Sequence, residues 1–350
     1  MNRQPGRVEN ILVIRPGAMG DILVATPVLL NLRNAFPKSR IAFLVQKRFA
    51  DVLKANPYID ELIEFDKESV GRFWGIGRLK KELAFLASIR ARRFDLALDL
   101  LGNLRTAILC VASGARERVG YTYRIRKFFY NRRVVARNPQ YVVDFNLDSL
   151  RMLGVPIEKK DIYLPADESD KAFAGEWLAG RGLGEARLLI GLFPGGGWSS
   201  KRWPEAHFSH LGDMLSSKLN ASILVMGGPQ ERDSIKRIIS LMSAEPVEVQ
   251  GFSLSRFAGL VSKLHLFISN DSGPRYLAVA AGIPSIGLFG PTNATNANPT
   301  ESIHSAITYE GDCLGCNKLT CADQICMKRI LPEAVFEESC RLLKEQGRIS

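Results

Sequence analysis

Residues 266–292, LFISNDSGPRYLAVAAGIPSIGLFGPT, decide how this chain folds. LFIS is an apolar run of strand length, Asn270-Asp271-Ser272-Gly273 is a turn able to cap a helix, and Pro274 suits the first helical position. The helix ends at Gly282, residues 283–289 form the next strand, and Gly290-Pro291-Thr292 turns out of the sheet. Strand, helix and parallel strand make a βαβ unit, and its turns lie at the carboxyl ends of the strands, where open parallel sheets bind ligands. Two such turns side by side offer backbone N–H groups and a helix amino terminus to an anion, above all a phosphate. An ordinary βαβ unit with no ligand has the same pattern.

The same alternation runs outward in both directions. The first half reads as strands over 11–15, 40–45, 61–65 and 96–100, with helices over 22–35, near 49–56, around 78–92 and over 104–113. The second half restarts it with strands over 188–193 and 222–226 and helices over 204–219 and 230–243. An α/β architecture follows: two doubly wound, Rossmann-like domains facing each other across a cleft, over 1–165 and 187–331, with a boundary between about 160 and 187. The last segment, 332–350, contains a helix expected to pack back on the first domain.

At 350 residues with 46% hydrophobic residues, the composition is that of a soluble globular protein of two domains. No apolar run reaches membrane-spanning length, and MNRQPGRVEN lacks the apolar core of a signal peptide, so a cytoplasmic location is expected. The net charge of +11 is uneven: residues 1–165 carry 29 Lys and Arg against 16 Asp and Glu, the remainder 18 against 20. Its densest run spans 116–137, where Arg116, Arg118, Arg124, Arg126, Lys127, Arg132, Arg133 and Arg137 face Glu117 alone. Such a patch suits nucleic acid, anionic head groups or a phosphorylated glycolipid, and a solvated basic face is the plain alternative. Aromatic residues interleave with the charges, but no nucleic-acid-binding motif accompanies them, and no nucleic-acid partner is expected.

Between the first strand and helix lies RPGAMGD, 15–21, whose glycines permit a tight turn but match neither a dinucleotide fingerprint nor a Walker loop. Asp21 stands where a helix cap stands; its chemical alternative is a general base acting on a hydroxyl. In the second half FPGGGWSSKRWPE, 193–205, again joins strand to helix. Gly195 and Gly196 bare the backbone, Ser199 and Ser200 add hydroxyls, and Lys201 adds charge, a combination suited to a pyrophosphate. Glu231, in the GGPQER turn, either accepts from ribose hydroxyls or is a carboxylate favoured at a helix start.

Together GDILVATPVL, DLLGNLRTAIL, FPGGGWSSKRWP, MGGPQERD, NDSGPRYLAVAAGIPSIGLFGPT and a carboxyl-terminal cysteine cluster stand in the order found in glycosyltransferase family 9, which the chain resembles over essentially its whole length. That family contains the lipopolysaccharide heptosyltransferases. The resemblance implies a GT-B fold and an inverting transferase that moves a heptose or related sugar from an ADP-sugar donor in the second domain. The acceptor in the first domain would be a lipopolysaccharide core or other anionic lipid-linked saccharide. It implies Asp21 as base, Lys201 as the group neutralising the departing diphosphate, Glu231 at the ribose, and Asp271, Ser272 and Gly273 at the donor sugar and phosphates. Arg118, Arg124, Arg126 and Lys127 are the expected acceptor contacts. The expected enzyme is a monomer, peripheral to the inner face of the cytoplasmic membrane. Alternatives are a GT-B-like sugar-nucleotide epimerase or hydrolase, and a non-enzymatic polyanion-binding protein. One departure stands out: where family members often place His after the DSG turn, this chain has Tyr276, and Arg275 beside it either contacts phosphate or faces solvent.

Cys313, Cys316, Cys321 and Cys326 follow a C-x2-C-x4-C-x4-C spacing. Such thiols can bind zinc or a cluster, form disulfides or stay reduced, and a reducing cytoplasm argues against disulfides. The scheme implied by the resemblance needs no metal and no cofactor, since Lys201, backbone N–H groups and helix dipoles can take up leaving-group charge.

Overall fold

A computed structural model describes residues 8–66, 76–122, 124–135, 140–184, 187–311 and 313–349. Arg137 and the side chain of Arg124 lie outside the described residues. The chain divides into two units, Met1–Tyr163 and Leu164–Ser350.

The first unit is built on six parallel strands: β1 Asn10–Ile14, β2 Arg40–Gln46, β3 Glu61–Phe65, β4 Leu96–Asp99, β5 Glu117–Tyr121 and β6 Arg132–Val134. They lie in the order β3-β2-β1-β4-β5-β6. The apolar runs of β1 and β2 and all four residues of β4 are buried, as expected of a parallel sheet covered on both faces. β5 and β6 come out of the basic run, where charge masks the strand pattern. Arg118 lies along β5 and donates from Nε to the Phe129 carbonyl and from Nη1 to the Ala115 carbonyl, both at 3.0 Å. Arg132 and Arg133 are exposed on the short edge strand, where charge discourages pairing with another chain. A 3-10 turn, Arg124–Phe129, joins the two.

The helix expected over 22–35 is two helices, α1 Met19–Leu23 and α2 Thr26–Ala35. Pro27 is the cause. It has no N–H to give the Leu23 carbonyl, and the Thr26 hydroxyl donates to that carbonyl instead, at 2.6 Å. The same hydroxyl oxygen accepts from the Tyr163 N–H at 2.9 Å. The remaining helices are α3 Ile76–Ala91, α4 Leu104–Ala112, capped by Asn103, and α5 Val142–Arg151.

The second unit repeats the plan with β7 Leu189–Phe193, β8 Ser222–Met226, β9 Val247–Val249, β10 Leu266–Asn270, β11 Ser285–Phe289 and β12 His304–Thr308, ordered β12-β11-β10-β7-β8-β9. Read from β9, this is the first unit's order. Its helices are α6 Glu168–Ala179, α7 Glu205–Leu219, α8 Arg232–Leu241, α9 Leu254–Val261, α10 Arg275–Ala280, α11 Ala294–Ala297, α12 Ile325–Lys328 and α13 Pro332–Glu345. The last helix packs on α7 and β11 of its own unit. Val335, Leu342 and Leu343 enter the core that holds Trp203, Phe208 and Ile286. An amphipathic helix settles where its apolar stripe is covered, and here the covering surface is the second unit's own.

In each unit the strand order reverses once, between β1 and β4 and between β7 and β10. Chain leaving the carboxyl ends of these neighbours diverges to opposite faces and leaves room for a ligand. Among the described residues no helix is long and apolar enough to cross a membrane.

Thr26, 2% exposed, carries the break between α1 and α2. Replacing it by Val keeps the volume but removes the donor to the Leu23 carbonyl and the acceptor for the Tyr163 N–H. Thr26→Val is therefore expected to cost about 1–3 kcal/mol, read as a lower urea midpoint of the full chain; an unchanged midpoint would refute the bridging role.

Candidate active site

The glycine-rich loop after β7 and the turn after β10 meet at the second unit's reversal point. Asn270, the fully buried last residue of β10, joins them: its Oδ1 accepts from the Trp203 N–H at 3.0 Å and its Nδ2 donates to the Pro194 and Gly195 carbonyls at 2.7 and 3.3 Å. One amide thus pins both ends of the loop. One residue on, the Asp271 carboxylate holds the Lys201 ammonium at 2.6 Å and accepts from the Thr292 hydroxyl at 2.7 Å. Lys201 also lies 4.3 Å from the Trp198 ring centroid. The expected charges are brought together, and Thr292, last residue of the opening stretch, joins them.

Gly195 has no room for a side chain, since a Cβ there would come within 2.3 Å of the Phe193 ring and 2.9 Å of Glu231 Cγ. Glu231 therefore lies against the loop, while its Oε2 accepts from the Gly228 N–H at 3.0 Å and closes its own turn. The Gly196 carbonyl accepts from Arg202 Nε at 3.2 Å. In the β10 turn the Ser272 hydroxyl is buried without a hydrogen-bond partner among the described residues. Gly273 follows, and its carbonyl accepts from the Tyr276 N–H at 3.1 Å.

Three expectations change here. Ser200 is not available to a phosphate: it is 2% exposed and its hydroxyl donates to the Lys318 carbonyl at 2.6 Å. Ser199 stays exposed, 3.5 Å from the Leu319 carbonyl. Helix dipoles also weigh less than the sequence suggests. The loop runs into a 3-10 turn, Ser199–Lys201, before α7 begins, and α10 has only six residues. Arg275, expected at a phosphate or in solvent, is at neither. It is 2% exposed and donates from Nε to Ser285 Oγ at 3.2 Å and from Nη2 to Asn298 Oδ1 and the Ser305 carbonyl. Tyr276 donates its hydroxyl to the Ala297 carbonyl at 3.0 Å.

The cysteine segment braces this edge. The Leu319 carbonyl accepts from the Ser200 N–H, Gln324 Nε2 donates to the Ser199 carbonyl at 3.0 Å, and the Asn317 N–H donates to the Pro291 carbonyl at 2.7 Å. All six cysteines are free thiols. Burial, then the neighbouring Cys313 and Cys316, push the Cys326 thiol up. Among the described residues no group of three or more His, Cys, Asp or Glu is placed to hold a metal ion.

At the first unit's reversal point, Arg15 follows β1 and is 8% exposed. Its Nη1 donates to the Leu100 carbonyl beyond β4, and its Nη2 lies 3.1 Å from Asp21 Oδ1. Asp21 Oδ2 accepts from the Ala18 N–H at 3.2 Å, so the carboxylate caps its helix, yet its side chain is 44% exposed. Capping and chemistry are compatible: two donors fix the carboxylate at the sheet edge and leave it open to solvent. Asp99, the buried end of β4, supports the neighbouring turn by accepting from the Leu101 and Gly102 N–H groups and the Tyr130 hydroxyl. Burial pushes its carboxyl above the usual range. Arg15 and Asn270 open motifs that the sequence marks, RPGAMGD and NDSG, but their bracing roles are signalled there only by position, beside a strand end.

The basic run is not one free surface. Arg118 is committed to backbone carbonyls, Arg132 pairs with Glu117 at 3.0 Å, and Arg126 is half-buried, whereas Lys127 is exposed.

Comparison with known proteins follows the same lines. The family model described as glycosyltransferase family 9 (heptosyltransferase) matches residues 82–326. The lipopolysaccharide core heptosyltransferase OpsX of Haemophilus influenzae is 24% identical over 310 residues, 86% of this chain and 85% of that protein. A solved family 9 glycosyl transferase from Veillonella parvula superposes with a TM-score of 0.81 at 26% identity, covering 97% of this chain and 99% of that one. The Escherichia coli heptosyltransferase WaaC, solved with ADP-2-deoxy-2-fluoro heptose, shares the fold with a TM-score of 0.71 at 22% identity, covering 95% and 99%.

At the amino-terminal end of β12, His304 is 6% exposed, with Nδ1 3.0 Å from Ser285 Oγ. Burial, then the nearby Arg275 guanidinium, hold its pKa down at about 4, so it is neutral in the fold. The unfolded chain protonates near 6.5 and the folded one only near 4, so stability is complete above about 6.5 and falls as pH drops towards 4. The loss is on the order of 3 kcal/mol at the acid end. Urea midpoints of wild type and His304→Gln across this window test it: the variant's profile should be flatter, and parallel profiles would refute it.

Proposed function

We propose that this chain, which belongs to glycosyltransferase family 9 and has its GT-B architecture of two Rossmann-like units, moves a heptose from ADP-heptose to a lipopolysaccharide core acceptor with inversion at the anomeric carbon. Membership of a transferase family sets aside the non-enzymatic polyanion-binding alternative. The observation that carries the donor side is the Lys201 ammonium held by Asp271 beside the bare glycine loop of the second unit. An ammonium has three N–H donors, and Asp271 and the Trp198 ring leave it capacity for a diphosphate. Ser272 Oγ, buried and without a hydrogen-bond partner among the described residues, is a further donor for the same ligand. ADP is preferred as the nucleotide because a heptosyltransferase of this fold was solved with an ADP-heptose analogue.

Asp21 serves as general base. Its carboxylate takes the proton of the acceptor hydroxyl as that oxygen attacks the anomeric carbon; the bond from that carbon to the β-phosphate oxygen breaks, and ADP departs with the electron pair. Arg15 holds the base in place, and Lys201 with the loop N–H groups meets the charge that develops on the leaving oxygen. Transition-state charge met by fixed donors is stabilised without reorganisation, which is the advantage of holding Lys201 before the donor arrives. The acceptor is anionic and lipid-linked and meets the basic first unit, with Arg126 and Lys127 as its contacts, so the enzyme works at the inner face of the cytoplasmic membrane.

Asp21→Asn should lower kcat about 10²–10⁴-fold while leaving ADP affinity, measured by calorimetry, unchanged. Turnover at the wild-type rate would remove Asp21 from the base role. Lys201→Ala should instead weaken ADP binding at least about tenfold, the share expected of a charge-assisted contact. In a thermal-shift panel of ADP-, GDP- and UDP-sugars, only ADP-heptose should raise the melting temperature strongly. Rapid donor consumption with no acceptor present would favour the epimerase or hydrolase alternative.

A further inference from the structure

The first unit exposes apolar side chains along three adjacent elements. Leu104 and Ile108 stand one helical turn apart on the outer face of α4, with Leu104 56% exposed, while Ala107 and Cys110 on its other face are buried. Leu79 and Leu83 repeat the spacing on α3 and are exposed as well. α3 packs on α4, and α4 packs on the 3-10 turn Arg124–Phe129, which bears Ile125 at 71% and Phe128 at 67% exposure. Side chains of this size left in water together mark an interaction face.

The charges around this face have one sign. Lys127 Nζ lies 5.3 Å and the Arg133 guanidinium 5.9 Å from the Phe128 ring centroid, so the aromatic ring is flanked by two cations. Lys80 and Lys81 are exposed on α3. The carboxylates on the flanking elements are neutralised in place, Glu82 by Arg105 and Glu117 by Arg132. Apolar side chains ringed by uncompensated cations are complementary to a surface that is anionic outside and apolar beneath. The face also begins where the chemistry is expected: Leu104 opens α4 just beyond the carboxyl end of β4, on the same sheet edge as the Asp21 loop.

We propose that this face docks on an anionic lipid bilayer, with Ile125 and Phe128 entering the acyl boundary and Lys80, Lys81, Lys127 and Arg133 meeting head-group phosphates. The placement deepens the function proposed above, on which it rests, by bringing a membrane-embedded acceptor to the edge that carries the base.

Sedimentation of the full chain with phosphatidylcholine vesicles, with and without about one third phosphatidylglycerol, tests it. The wild type should partition at least about tenfold more strongly onto the anionic vesicles and lose that preference in high salt. Ile125→Ser/Phe128→Ser and, separately, Leu79→Ser/Leu83→Ser should each lower partition at least about tenfold. Both variants should retain wild-type circular dichroism, ADP affinity and transfer to an acceptor stripped of its acyl chains. Failure of the wild type to bind anionic vesicles, equal binding to both vesicle types, or unchanged partition in both variants would overturn the proposal. So would concentration-dependent self-association that both variants abolish in a chain that ignores vesicles, since a second copy would then cover the face. Vesicle binding as stated in a wild type that transfers no heptose would keep the docking face and reject the transfer function instead.

Discussion

The second unit's site depends on one buried amide. Asn270 ends β10, and its side chain grips the Gly195 loop on one side and the backbone before α7 on the other. Those contacts exist only because β7 and β10 are neighbours at the point where strand order reverses, so residues about seventy positions apart leave the sheet side by side. Once the loop is pinned, the Lys201 ammonium lies 2.6 Å from the Asp271 carboxylate, which is fixed in turn by Thr292. A buried amide with its donors and acceptors satisfied is stiff, because each broken bond would leave a polar group unpaired in the interior.

The first unit solves the same geometric problem with an arginine. Arg15 spans the reversal between β1 and β4 by reaching the Leu100 carbonyl through Nη1, and its Nη2 faces Asp21. A guanidinium suits this task because its donors diverge in a fixed plane, so one rigid group can hold a backbone carbonyl and a carboxylate at once. Asp99 and Tyr130 stiffen the turn that presents that carbonyl. The units therefore share a strand order and a strategy, a polar tie across the reversal point, without sharing the residue that makes it.

Several residues that look chemical also carry structure. Ser200 and the cysteine-bearing segment hold one another, so that segment braces the glycine-rich loop. Arg275 and Tyr276, the places where the chain departs from its family's pattern, are turned toward β11, β12 and α11. A sequence lists charges and hydroxyls without saying which of them the backbone has already engaged.

By itself the sequence determined the alternation of strands and helices, the glycine-bearing turns, and the order of motifs that marks the family. These are local: apolar runs, Gly and Pro act over a few residues, and the apolar runs within the buried strands β1, β4 and β10 are legible from neighbours alone. β5, β6, β9 and β12 were not legible, being short, charged or at the sheet edges, where burial on both faces no longer writes an apolar run. Nor was the break at Pro27 anticipated, although the missing N–H that causes it stands in the sequence. Only tertiary structure decided which side chains meet: that Lys201 faces Asp271, that Arg15 faces Asp21, and that α13 covers α7. Such pairings arise from strand order and the burial of polar groups, which are properties of the packed sheet and not of any segment within it.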